Sequence, residues 1–416
     1  MLTSRGRAAL LGGAVLLSGL ALLVFGLPFG SPDAGRTGAA ARSSAPVLPS
    51  SAAEARRTPS PTDVYAGTRA GMFSPAVAGA RALVYVPNLA DGTVSVIDQA
   101  SSKVIDVFKV GREPQHVVPS WDLQTLWVNN NRGNSLTPLD PRSGRPAGPA
   151  LPVQDPYNLY FTLDGSSALV MAEAMQEIDF YDPHTFVAQS RLPLDKRCLG
   201  VNHVDFSPDG SYFIATCEYS GQLVKVDVAS RRVLGYLDLN GARGPAAPQD
   251  IKIAPDGRVW YVADMNAGGL HEIDGDAFAE VGFLPTGPET HGLYPSRDGR
   301  YLYAANRGGM LAQKAPPFAH TGADGSVSVV DVGTRQVVAT WPVPGGTPDM
   351  GNVSADGSRL WLSGRRSNEV YVFDTGGVDP TAGHLLTRIP VGREPHGLAV
   401  WPLPGKFSLG HTGILR

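Results

Sequence analysis

From about residue 80 onward, apolar and polar residues alternate in short runs with a period of two, and the runs break at Gly, Asn, Asp and Pro. Alternation of this kind predicts half-buried β-strands joined by tight turns. Seven of the runs end in aspartate: GTVSVID at Asp98, NSLTPLD at Asp140, QEIDFYD at Asp182, GQLVKVD at Asp227, GGLHEID at Asp274, GSVSVVD at Asp331 and NEVYVFD at Asp374. Self-similarity at intervals of about 42 to 57 residues predicts a propeller or a solenoid.

A second repeated signal sets the phase. Most units open with a strand, then a turn, then another strand, and the turn reads LDG at Leu163, SPDG at Ser207, PDG at Pro255, RDG at Arg297 and ADG at Ala355. Asp-Gly suits a primed hairpin turn, since glycine, and less readily aspartate, tolerates positive φ. Each unit is then a four-stranded antiparallel meander. One usable strand, Leu83 to Pro87, precedes the first aspartate run, and a spare one, His396 to Trp401, follows the last. VGREP occurs at Val110 to Pro114 and again at Val391 to Pro395, so the C-terminal strand enters a blade as the second repeat does. The expectation is an all-β, seven-bladed β-propeller, core about 80–403, closed by the C-terminal strand joining the N-terminal blade, which protects sheet edges.

The wording LVYVPNLADGTVSVIDQASSKVIDVFKVG at Leu83 to Gly111 and DGRYLYAAN at Asp298 to Asn306 resembles the YVTN-type β-propeller family. That resemblance implies the fold over about 80–403, but no single activity, since such propellers serve as haem domains, cell-surface proteins and lactonase-like enzymes. Blades six and seven also resemble the haem-binding propeller of nitrite reductases, which implies histidines at two successive blade starts. The matching positions here are His291 and Asp349, so one of the two is replaced. Without a match for the axial histidine, and without Cys-x-x-Cys-His, the chain is expected to carry no haem and to reduce no nitrite.

Composition adds a compartment. The 416 residues carry a net charge of −3, so no global basic field favours nucleic acid. Arg5 and Arg7 precede an uncharged apolar stretch from Ala8 to about Phe29, which fits either a secretory signal or a single membrane anchor over residues 1–30. Either one sends the rest of the chain across the membrane, the arginines staying on the cytoplasmic side. Residues 31–61 are rich in Ala, Ser, Pro and Arg and read as a flexible tether before the propeller at 62–416. The expected location is extracytoplasmic, with membrane contact through the N-terminal segment alone, and the expected state a monomer. Cys198 and Cys217 fall at the start and end of neighbouring strands, which leaves open a disulfide, two buried thiols or a metal-ligand role.

Candidate chemistry gathers where the inner strands begin, because these strands line a propeller's channel and converge on one mouth. Counting from the turn aspartates, these positions hold Tyr157, Asn202, Gln249, His291 and Asp349, followed by Asn158, His203, Asp250, Gly292 and Met350. Blade two supplies Gln115 and His116, and the closing strand supplies His396. His116, His203, Asp250, His291, Asp349 and His396 are candidate ligands for copper, zinc or iron, with Met265 and Met350 adding weight to copper. The alternative is that the histidines bond backbone groups. Successive strand residues face opposite ways, so His116 and His203 need a bulge to point with His291 and His396.

A second ring, at the ends of the adjacent strands, offers Asn130, Glu173, Glu218, Asp264, Arg307 and Arg365 as candidate ligand-binding residues. Its acidic groups gather on blades three to five and its arginines on six and seven, a polarity that orients a charged ligand, with Arg307 and Arg365 as anion contacts. The insertion GGMLAQKAPPFAHTGADG at Gly308 to Gly325 is a candidate lid or partner-contact loop, with His320 in reach of the mouth. No G-x-S-x-G elbow, Walker loop or H-E-x-x-H helix is present. Three function classes stay open: a scaffold binding a small-molecule ligand or a protein partner at the channel mouth, a metal or redox accessory protein, and a metal-assisted lactonase or other hydrolase. The first, without catalysis of its own, is the expected one.

Overall fold

The computed structural model describes residues 63–309 and 324–416. Expectations for the N-terminal stretch, the tether and His320 lie outside those residues. Among the described residues the chain forms seven antiparallel sheets in a ring, and no helix is long and apolar enough to cross a membrane. The inner strands are Pro114–Pro119, Pro156–Phe161, Val201–Phe206, Pro248–Ile253, Thr290–Pro295 and Pro348–Val353 for blades two to seven, and Ala399–Trp401 for blade one. That last strand closes the ring by pairing with Leu83–Asn88, in the register Leu83 to Trp401 and Tyr85 to Ala399.

Burial falls outward through each blade, and this explains the two hydrophobic patterns in the chain. Inner strands such as Pro114–Pro119 are buried at every position, whereas the outermost strand Lys103–Lys109 alternates between exposed and partly exposed residues. Apolar side chains of neighbouring blades interdigitate, as where Trp361, Val370 and Val372 of blade seven pack with Tyr85, Val96 and Trp401 of blade one.

The repeated aspartates are turn caps. Asp98, Asp182 and Asp227 each accept a backbone N–H three residues on, from Ser101, Thr185 and Ser230, and so hold the turn into the outer strand. The Asp-Gly turns differ from the primed hairpins anticipated above. Gly210 has φ of 71° and donates its N–H to Ser207 O, while Asp209 keeps a negative φ and its carboxylate accepts from Ser211 N and Ser207 Oγ. The geometry is a β-turn from Ser207 to Gly210 with the glycine left-handed, which leaves aspartate unstrained and free to cap.

Cys198 and Cys217 are bonded, with Cα atoms 4.9 Å apart, and no described cysteine is free. The bridge ties the loop entering blade four to the end of its second strand, so neither sulfur is left as a metal ligand.

Beyond the closing strand the chain turns under the channel. Ser408–Gly410 and Ile414–Leu415 pair with each other, and Gly410 pairs with Tyr160 of blade three. Asn352 Nδ2 donates to the carbonyls of Thr412 and Gly413, and Arg416 reaches Asp205 Oδ1 at 3.1 Å. From the other terminus Tyr65 donates to Ile253 O and lies under the Arg416 guanidinium. A cavity of about 30 Å³ remains at this end.

Candidate functional site

The parity question is answered by bulges. In blades two, four, five, six and seven the pairing of inner and second strands slips after the first residue and resumes at the fourth, as between Pro114 and Val117 or Val201 and Val204. Two successive residues leave the ladder and both become free to turn to the channel. His116 and His396, of opposite parity, thus have ring centroids 4.9 Å apart. Gly397 makes room for this contact, since a Cβ there would lie 2.0 Å from His116 Cδ2.

The upper layer is a polar cavity of about 240 Å³ at the mouth. Four of the six residues in the second ring, Glu173, Glu218, Arg307 and Arg365, line it together, joined by Tyr157, Tyr219 and Arg366. The other two serve their own blades. Asn130 Oδ1 accepts from Gly111 N while its Nδ2 donates to Ser135 and Thr137 hydroxyls, and Asp264 accepts from the backbone of Ala247, Asn266 and Ala267 and contacts His271 at 2.9 Å.

Charge is divided across this cavity. Arg307 is paired with Asp349 and Arg366 with Glu289, whereas Arg365 has no hydrogen bond or ion pair among the described residues. Opposite it, burial and then the neighbouring Glu218 push the Glu173 carboxyl up to about 8. Burial likewise raises Glu218, opposed by Arg307. At neutral pH Glu173 therefore holds its proton and can donate a hydrogen bond.

Beneath the mouth lie five buried histidines. His291, Asp349 and His396 form one group, and His203, Asp250 and His411 another, with the ligand atoms of each group within 4.8 Å of one another. His116 lies between them, 4.9 Å from His396 and 5.3 Å from His411 by ring centroid. His411 escaped sequence reasoning because it sits on the tail beyond the last repeat.

The two groups differ in what is already satisfied. Asp250 Oδ1 binds Lys252 Nζ at 2.5 Å and Ile251 N, and its Oδ2 accepts from Leu293 N. Burial opposes the Asp250 charge, but Lys252, with His411 and His203, holds its carboxyl well below the usual range. Asp349 is held down against burial by Arg307, His291 and His396. Unlike Asp250, it keeps one oxygen, Oδ2, buried without a hydrogen bond among the described residues. His396 Nδ1 donates to Gln115 O at 3.2 Å, leaving the Nε2 lone pair free, and His116 does the same with Tyr157 O at 2.8 Å. His291 Nδ1 is 2.9 Å from Asp349 Oδ1 but off the line of a hydrogen bond. Burial, then Arg307, lowers the His291 imidazole to about 4, and burial holds His116, His203 and His396 well below the ordinary histidine value. These rings are neutral at physiological pH, the form that ligates metals.

A family model for YNCE-like beta-propellers matches residues 62–405. No curated protein matches the chain. Among solved structures, Kuenenia stuttgartiensis hydrazine synthase is similar with a TM-score of 0.55 at 17% identity, over 68% of this chain and 87% of that one. A putative 6-phosphogluconolactonase from Bacteroides uniformis gives 0.59 at 17% identity, over 76% of this chain and 98% of that one. The dihydro-heme d1 dehydrogenase NirN gives 0.51 at 16% identity, over 80% and 77%. Identities this low carry the fold alone.

Proposed function

Starting from a chain that belongs to the YNCE-like beta-propeller family, we propose that it is a binding protein that takes a small organic carboxylate into the channel mouth, outside the cytoplasm. One observation carries this reading: an unpaired arginine, Arg365, shares a charge-divided cavity with the raised carboxyl of Glu173. An incoming carboxylate pairs with Arg365 and replaces the solvent that serves it, in a setting where charge-assisted hydrogen bonds are strong. The far end of the ligand meets Glu173, Tyr219 and Tyr157, which offer hydroxyl donors and acceptors. A cavity of about 240 Å³ lies just below the usual range of ligand pockets and suits a compact molecule. The Cys198–Cys217 bond and the apolar N-terminal stretch support a location beyond the membrane.

Calorimetric titration with succinate tests the assignment. Wild-type protein is expected to bind it, and Arg365→Gln to bind about tenfold more weakly, about 1.4 kcal/mol for a lost charge-assisted pair. Putrescine, a diamine of similar length, is expected not to bind. Equal succinate affinity in the variant, or preference for the diamine, would reject the reading.

The same titration has a predicted pH dependence. Succinate is fully ionised above about pH 6.5, so changes at higher pH belong to the protein. As pH rises through about 8, Glu173 loses its proton beside Glu218, Asp155, Tyr219 and Arg365. The cavity gains negative charge and affinity for the anion falls. Glu173→Gln is expected to flatten that decline, and a decline unchanged in the variant would place its origin elsewhere.

A further inference from the structure

We infer that His291, Asp349 and His396 bind one divalent first-row transition-metal ion directly beneath the mouth cavity. The inference does not depend on the carboxylate reading, because the ion is held by protein groups alone. Three buried atoms of this group, His291 Nδ1, Asp349 Oδ2 and His396 Nε2, have no hydrogen-bond partner among the described residues. Leaving such groups unpaired is costly, and a cation satisfies all three at once. His396 Nε2 lies 3.8 Å from Asp349 Oδ2, close to the separation of about 3.4 Å between two donors on a tetrahedral ion with bonds of about 2.0–2.1 Å.

The surroundings fit a metal's outer shell. Gln115 O accepts from His396 Nδ1 and fixes the tautomer that presents Nε2, and Arg307 binds Asp349 Oδ1 and leaves Oδ2 free to ligate. Two imidazoles and one carboxylate form a set suited to zinc, iron or copper in the divalent state, and they leave coordination positions open. Arg307 lines the mouth cavity as well as gripping Asp349, so an ion here sits within one side chain of the proposed carboxylate site. The deeper group lacks this readiness, since both oxygens of Asp250 are taken by Lys252 and by backbone amides.

The test uses metal alone. Full-length protein, purified without a histidine tag and stripped with chelator, is loaded with zinc, desalted and analysed by mass spectrometry. About one equivalent is expected to remain, with affinity at least about 100-fold weaker in His396→Ala and in His291→Ala, and nearly unchanged in His203→Ala. Circular dichroism checks that each variant is folded. Should the alanine variants fail to fold, the copper(II)-loaded wild type decides, because its paramagnetic resonance spectrum should show coupling to imidazole nitrogens at one-to-one loading. Metal-free protein after loading, retention unchanged in His291→Ala and His396→Ala, loss confined to His203→Ala, or a copper spectrum without nitrogen coupling would each overturn the inference.

Discussion

A chain truncated after Leu403 is expected to lose more stability than any single substitution in the blades, read as a lower urea midpoint by circular dichroism. The missing segment packs Leu409 and Ile414 beneath the channel with Phe206 and Phe213 of blade four, and Leu415 with Trp401 and Leu403, all three tail residues being buried. Emptying Leu409 alone, as Leu409→Ala, should cost about 2–5 kcal/mol, the range for buried leucines. Truncation goes further. It strips Arg416 from the buried Asp205 carboxylate, and it takes the His411 ring away from Asn158 and Asp250. A buried charge that loses its partner costs about 3–5 kcal/mol on its own, tempered here where water can enter. Hydrogen exchange should quicken first in Pro156–Phe161, where Leu159 O and Tyr160 hold the tail. An unchanged midpoint would mean that the tail merely rests against the ring.

Replacing both cysteines, as Cys198→Ala with Cys217→Ala, is the other large effect. The bond closes a loop of 19 residues, and a cross-link of that length constrains the unfolded chain by about 3 kcal/mol. Both sulfurs are fully buried among Val201, Val204 and Phe213, so the alanines also leave small cavities that add to the loss. The expected result is a midpoint shift worth about 3 kcal/mol or more with the native β-spectrum retained. A shift under about 1 kcal/mol would show that the unfolded state is already restrained there. Succinate affinity should survive, since neither cysteine lines the mouth cavity.

The ring of blades was legible because its cause is repeated. Each blade has an aspartate cap before its outer strand, and blades three to seven have a left-handed glycine at the inner turn, a place that Leu123 takes in blade two, so those residues mark the period in the chain. The site was legible only as a set of positions. Counting from the turns placed Glu173, Glu218, Arg307 and Arg365 at one mouth, and the cavity gathers them. The same count could not give side-chain direction, so it grouped Asn130 and Asp264 with them, although both turn back to cap their own loops. Nor could it settle how six candidate metal ligands divide. His291, Asp349 and His396 come together, His203 and Asp250 join a deeper group, and His116 falls between, because bulges override strand parity. His411 was beyond reach of the repeat altogether, since the tail carrying it follows the last blade and folds by tertiary contact.

A crystal structure of the protein grown with succinate tests most directly whether the channel mouth is a carboxylate site. Electron density for the ligand is expected in the mouth cavity, with one carboxylate within hydrogen-bond distance of Arg365 and the other end against Glu173 and Tyr219. A cavity holding only water at saturating succinate, with Arg365 turned to solvent, would contradict it.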